Sequence, residues 1–448
     1  MQTLMWGIAE KAKRNRKHRF GNLYGLLNEE MLKDSWHYIR KNAAIGVDRV
    51  SAAEYEQNLD ENIRLLVERL KGKKYRARLI RRRYIPKGDG KMRPLGILVV
   101  EDKLLQIAVT RILTSIYEVD FLPCSYGYRP NVGVKDAVKQ LTIKLQFGRY
   151  DWIVEADVKS YFDRISHQWL MRMLEERIND RAFLRLIGKW LKAGVLETDG
   201  RILEPEAGTP QGGNVSAILA NVYLHYALDL WFEKVIKRSC KGRAILIRYV
   251  DDWVCAFEYR EDAERFYAMQ GERLRKFELE LSAEKTRAMS FYRQAPTDGT
   301  DEAGKNSIEF LGFEFRWGKD RKGKPHLKRR TSRKRYRRSL QRFTEWCKQT
   351  RDMKNGERFA KLNQKLVGYY NHYGLPDNLE RLQDFFHQSK RILFKWLNRR
   401  SQKSSYTWKG FQELMDHYKV PLPRITDETR ARTPGMMIAY ALGGSECV

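Results

Sequence analysis

Two adjacent carboxylates, Asp251 and Asp252, sit between apolar runs rich in β-formers at 245–249 and 253–257, within AILIRYVDDWVCAF. That pattern predicts a tight β-hairpin with its acids at or beside the turn. Neighbouring acids repel, and holding them near an apolar sheet is costly unless a cation neutralises them. A solvated Asp turn explains the dipeptide taken alone, since short motifs match by chance. A second stretch shifts the balance. DWIVEADV at 151–158 reads as another strand, with Asp157 near its end and a helical pattern, KSYFDRISHQWLMRML, behind it. Three aspartates on two strands can share a pair of divalent cations.

Other segments must frame those strands. From 77 to 100, ARLIRRRYIPKGDGKMRPLGILVV predicts a β-hairpin turning at Lys87-Gly88-Asp89-Gly90-Lys91. Lys87 and Arg93 bracket the turn as two cations suited to clamp a triphosphate, or simply as surface charge. A helix is expected at 101–116, then an irregular loop, CSYGYRP, marked by Gly127 and Pro130. The Gly/Pro-rich AGTPQGG opens directly into a helix at 207–229, which brings backbone N–H groups and Gln211 near a nucleotide or template strand; most such turns are plain connections. After the hairpin come a helix at 260–277, ELELSAEKT with Lys285, a polar loop at 293–305 and a strand pair, or a strand with a turn, at 307–317. The N-terminal part reads as a basic stretch at 11–19, an amphipathic helix at 31–40, a loop around Gly46 and a helix at 52–70.

Composition narrows the class. The 448 residues carry 86 Lys+Arg against 56 Asp+Glu, a formal charge of +30, which implies a polyanionic partner and favours nucleic acid over membrane. The charge is clustered: residues 316–342 hold 14 Lys/Arg and one acid, Asp320. Helical periodicity resumes at Arg333, and further helices are expected at 357–373 and 379–398, so 316–424 reads as a helical domain with a basic groove. Lys328, Arg329, Arg330, Arg333, Lys334 and Arg337 are its candidate nucleic-acid contacts. No apolar run is long enough to span a bilayer and no signal-peptide pattern is present. The five scattered cysteines (Cys124, Cys240, Cys255, Cys347, Cys447) argue against a disulfide framework or a zinc site and place the protein in a reducing cytoplasm.

The ordered series IPKGDGKMRPLGI, SYGYRP, VEADVKSYFDRISH, GTPQGGNVSAILAN, YVDD, LSAEKT and FLGFEF resembles the blocks of bacterial group II intron reverse transcriptases, the intron-encoded maturases. KNAAIGVD near the start, and GYYNHYG with FKWLNRRSQKSSYTWKGF near the end, are similar to that family's N-terminal extension and thumb. The resemblance implies an α+β right-hand polymerase. It has an N-terminal extension at 1–76, fingers and palm (antiparallel sheet plus helices) at 77–315, an all-helical thumb at 316–424 and a tail at 425–448. It also implies an RNA-directed DNA polymerase of bacterial cytoplasm, extending a DNA or RNA primer on an RNA template with dNTPs.

Residue by residue, the resemblance makes Asp157, Asp251 and Asp252 catalytic metal ligands, with the Val158 carbonyl completing a site for two Mg²⁺ ions (Mn²⁺ being the alternative). Phe162 falls where the family blocks a ribose 2′-hydroxyl, although core packing beside Tyr161 is the plainer reading. Lys87 and Arg93 would hold the triphosphate, Gln211 would line the nucleotide pocket, and Lys285 would protonate the departing pyrophosphate. One departure stands out: Val250 occupies a position that is Ala in most of the family, and it should crowd the primer end or the neighbouring strand. The chain has no paired-cysteine endonuclease module, so independent target cleavage is not expected. Other readings stay open: a splicing cofactor acting on intron RNA, a host-adopted enzyme of DNA repair or phage defence, and a DNA-templated or RNA-synthesising polymerase.

Overall fold

A computed structural model describes residues 2–86, 92–209, 212–293, 306–399 and 405–426. The fold is α+β, with three sheets among many helices. The chain forms two compact units. The first takes in Met1–Gly133 and Ile153–Ala288, the second Val134–Trp152 and Met289–Ala431.

In the first unit, local signals start the helices. Asn28 caps Glu29–Trp36 through the Met31 amide, and a reciprocal Ser51/Glu54 capping box opens Ala52–Gln57. The run expected as one helix at 52–70 breaks at Asn58 and resumes as Leu59–Lys71. The chain opens with a helix, Gln2–Arg14, whose last turn holds Lys11, Lys13 and Arg14, so the start of the basic stretch at 11–19 is helical. Strands β1 (Ile80–Pro86) and β2 (Met92–Ile97) pair antiparallel as expected, with Ile85 opposite Arg93. Two short strands, β4 (Val195–Leu196) and β5 (Ile202–Leu203), extend that sheet; β4 lies parallel to β1.

The central sheet has the order β6-β7-β3-β8, built from β6 (Ala244–Tyr249), β7 (Asp252–Phe257), β3 (Trp152–Asp157) and β8 (Arg287–Ser290). Ile153–Ala156 of β3 and Trp253–Phe257 of β7 are buried without alternation, the signature of strands covered on both faces. The helix Ser216–Leu224, every residue of which is buried, belongs to the same core. The three aspartates stand at the ends of these strands, Asp157 last in β3 and Asp251 and Asp252 at the β6–β7 turn.

The second unit corrects one expectation. The segment from 316 is not helical at first: β9 (Ile308–Phe310), β10 (Phe313–Lys319) and β11 (Pro325–Thr331) form an antiparallel sheet, and helix begins only at Arg333. β9 and most of β10 fall where strand was expected at 307–317; the strand hidden beneath the charge count is β11, in which only Leu327 and Thr331 are buried among the cations. Helices Arg333–Gln349, Asn355–Tyr373, Leu379–Leu397 and Trp408–His417 follow. Their core includes Tyr369 stacked on Phe385 at 3.8 Å between centroids. Most of the loop expected at 293–305, and most of the tail, lie outside the described residues.

Candidate active site

Register puts the acids at the hairpin turn. Tyr249 pairs with Asp252, which leaves Val250 and Asp251 as a two-residue turn. Val250 has φ +60°, a conformation that L residues with branched Cβ rarely adopt and that costs about 1–3 kcal/mol. Its surroundings hold it there. A Cβ on Gly127 would lie 2.4 Å from Val250 Cγ2 and 2.7 Å from its amide nitrogen, so glycine alone permits this approach. Val250 is thus 5% exposed against the SYGYRP loop, and the crowding expected of its side chain falls on that segment.

The carboxylates meet at the ends of neighbouring strands. The Val158 amide donates to the Asp251 carbonyl at 3.3 Å, tying the end of β3 to the turn. Lys285 Nζ lies 2.7 Å from Asp157 Oδ2, and the Asp157 carbonyl accepts from the Ser282 amide at 2.8 Å. Burial and then the Asp157 charge push Asp251 up to about 6, against the pull of Lys285 and Arg93. Burial, then Asp157, Asp251 and Glu155, raise Asp252 well above the usual carboxylate range. The local cations do not offset this concentration of negative charge. Such hard oxygen donors fit Mg²⁺ or Mn²⁺. Among the described residues no group of three or more His, Cys, Asp or Glu closes into a cage.

Around the carboxylates stand candidate nucleotide contacts. Phe162 belongs to a short 3₁₀ turn, Tyr161–Asp163, entered through Ser160 at φ +49°. Tyr161 is the core residue, 2% exposed, whereas Phe162 is only half-buried and meets Tyr128 edge-on at 6.4 Å between centroids. The Gly-rich turn is laced to this point. The Thr209 amide donates to the Phe162 carbonyl at 2.7 Å, and a Cβ on Gly208 would lie 2.9 Å from the same oxygen. Gly212, at φ +107°, presses on the Gly96 carbonyl of β2. Arg93, exposed on β2, is near enough for its charge to act on both Asp251 and Tyr128. Lys87 and Gln211 lie outside the described residues.

Sequence reasoning missed the residues beneath the turn. Arg248, fully buried in β6, pairs with Asp229, also fully buried, at 2.6 Å. The available signal was a charged residue inside an otherwise apolar strand, which demands a buried partner.

In the second unit the basic candidates divide. Arg329 Nε pairs with Asp377 at 3.1 Å and Arg330 Nε with Glu314 at 2.9 Å, both half-buried. Lys328 is likewise half-buried on β11, whereas Arg333, Lys334 and Arg337 stand exposed on the following helix. Of the six candidates, these last three are the exposed ones, presenting charge of the kind a phosphate backbone recruits.

A palm-like sheet carrying acids at its strand ends defines a class, and the comparisons name it. The family described as "Reverse transcriptase (RNA-dependent DNA polymerase)" matches residues 85–315, more than half of the chain, and the protein belongs to that family. Among its relatives are intron-encoded proteins. It is 34% identical to Protein YkfC of Escherichia coli over 241 residues, 49% of this chain and 62% of that one. It is 37% identical to Group II intron-encoded protein LtrA of Lactococcus lactis subsp. cremoris over 224 residues, 49% of this chain and 37% of that one. A 91 kDa protein in the cob intron of Schizosaccharomyces pombe is 35% identical over 216 residues, 48% of this chain and 26% of that one. The chain spans less than two thirds of the length of these relatives. Among the described residues no helix is long and apolar enough to cross a membrane.

Proposed function

We propose that the protein is an RNA-directed DNA polymerase that extends a primer 3′-hydroxyl with dNTPs. The observation that carries this reading is the mutual charge conflict of Asp157, Asp251 and Asp252 at the strand ends. Asp157 and Asp251, with Asp252 and the Val158 carbonyl, would hold two Mg²⁺ ions. When bound, these supply activation of the attacking hydroxyl and neutralisation of the leaving oxygen. The chain's own work is positioning. Arg93, with Lys87, draws the triphosphate toward the carboxylates by charge. Phe162 excludes a 2′-hydroxyl by bulk, and Tyr128 supports its ring. Gln211 lines the nucleotide pocket. Lys285, already within reach of Asp157, gives a proton to departing pyrophosphate.

The region 77–315 serves as fingers and palm, with 1–76 as an N-terminal extension, 316–424 as the thumb and 425–448 as a tail. Arg333, Lys334 and Arg337 would grip primer–template by its backbone, independently of sequence. An A-form hybrid would be read by shape.

The test is primer extension by nucleic-acid-free protein with Mg²⁺ and dNTPs on RNA and DNA templates, with Asp157→Ala as control. Extension on RNA that disappears in the control supports the proposal. No extension on either template, beside tight and salt-sensitive RNA binding, would replace it with a splicing cofactor.

A further inference from the structure

The buried base of the catalytic hairpin is a polar knot centred on Arg248. Its Nε and Nη2 grip the two carboxylate oxygens of Asp229 at 2.7 and 2.6 Å. The same guanidinium donates to the Val250 carbonyl at 2.9 Å, to Asn221 Oδ1 at 3.2 Å and to Ser125 Oγ at 2.7 Å. Asn221 in turn donates to the Gly127 carbonyl at 2.6 Å. The backbone follows: the Arg248 amide donates to the Cys124 carbonyl at 2.7 Å, and the Tyr126 amide donates to the Arg248 carbonyl at 2.9 Å. Asp229 closes a five-residue π-helical stretch, His225–Asp229, a widened turn of a kind frequent at functional sites.

This knot is more elaborate than stability requires. A buried ion pair gives little net stabilisation compared with apolar residues of the same volume, so its retention calls for another reason. Here the fork geometry supplies one. Arg248 fixes the carbonyl of a residue held at left-handed φ, one position before Asp251, and clamps the loop whose Gly127 abuts that same residue. The loop continues into Tyr128, the edge-on neighbour of Phe162.

We infer that Arg248, oriented by Asp229, is a positioning residue that sets the turn carrying Asp251 and keys it to the Gly127–Tyr128 segment beside the nucleotide site. The inference rests on the polymerase reading for its kinetic consequence but not for its structural one. Lysine retains the charge yet lacks the planar fork that reaches several acceptors at once.

The experiment compares wild type with Arg248→Lys and with the double variant Arg248→Met/Asp229→Leu, which removes both charges together and leaves neither alone. Three quantities are read on each: thermal melting, amide hydrogen exchange across 249–252, and single-turnover extension resolved into maximal rate and apparent dNTP affinity. Folded Arg248→Lys protein is expected to show faster exchange at the turn. Its maximal rate should fall about 100-fold, the usual cost of misplacing a reacting group by an ångström, with dNTP affinity within about threefold. The double variant should melt near the wild-type temperature and remain comparably slow. A purely structural role predicts instead that the double variant regains wild-type rate and exchange, and that result overturns the inference. If wild type extends no primer, the polymerase reading fails by itself. Exchange then decides: unchanged protection at 249–252 in Arg248→Lys defeats the positioning role, and lost protection upholds it. If the double variant does not fold, Arg248→Lys alone decides on the same two readouts.

Discussion

Lys285 Nζ sits 2.7 Å from Asp157 Oδ2, with a side chain 64% exposed, so the carboxylate that opens the site already has a cation of the protein's own. A divalent ion reaching Asp157 must share or displace that ammonium. Lys285→Met should therefore tighten Mn²⁺ binding to the nucleic-acid-free protein, by about threefold, given how little exposed ion pairs are worth. Titration followed by electron paramagnetic resonance measures this directly. Unchanged or weaker binding would show that the lysine does not compete.

The raised Asp251 fixes the sign of a pH effect. Its carboxyl holds a proton up to about 6 in the folded chain against an ordinary value near 3.8, so between those values the folded state binds more protons. Stability of metal-free protein therefore falls as pH rises through that window. Asp251→Asn should melt higher than wild type at pH 7, with the difference vanishing near pH 4. Mg²⁺ competes with that proton, so the acid limb of the extension profile should move to lower pH as Mg²⁺ is raised. A limb that stays put at limiting and saturating Mg²⁺ would refute the assignment.

Phe162 is half-buried with Tyr128 edge-on against it, a ring held in place without being sealed in the core. Phe162→Ala should keep the fold and lower the preference for dNTP over rNTP by about 10–100-fold, the range that shape alone supplies. Competitive incorporation of dATP and ATP gives the ratio. Equal discrimination in wild type and variant would return Phe162 to a packing role.

The basic residues of the second unit should separate in a salt titration. Arg333, Lys334 and Arg337 are exposed, and replacing all three with Gln should weaken duplex binding and lower the slope of log affinity against log salt by about 2–3. Arg329 is engaged with Asp377, so Arg329→Gln should lower the melting temperature and leave that slope nearly unchanged. The reverse pattern would mean that the paired strand arginines are the true phosphate contacts.

Much of this molecule was legible in one dimension because its signals are local. Alternation and turn residues marked the β1–β2 and β6–β7 hairpins, and both pair as their patterns require. Adjacent acids in an apolar strand pair marked where negative charge gathers, since charge in such a place needs a counter-charge. Legibility failed where a local count masked a period: strand was expected at 307–317, where β9 and most of β10 lie, but the lysines and arginines beyond hid β11. It failed again where the partner is remote in sequence. That Arg248 meets Asp229, Asn221 and Ser125, and that Gly127 packs on Val250, depends on which segments the fold brings together. The same is true of Lys285 standing on Asp157, and of Arg329 and Arg330 being occupied by acids. Residue types and spacing determined the chemistry this protein is equipped for, because ligand identity and strand periodicity are properties of the chain itself. Tertiary structure alone decided which cations are free, which are paired, and what holds the carboxylate turn in its strained shape, because burial and long-range contact arise only on folding.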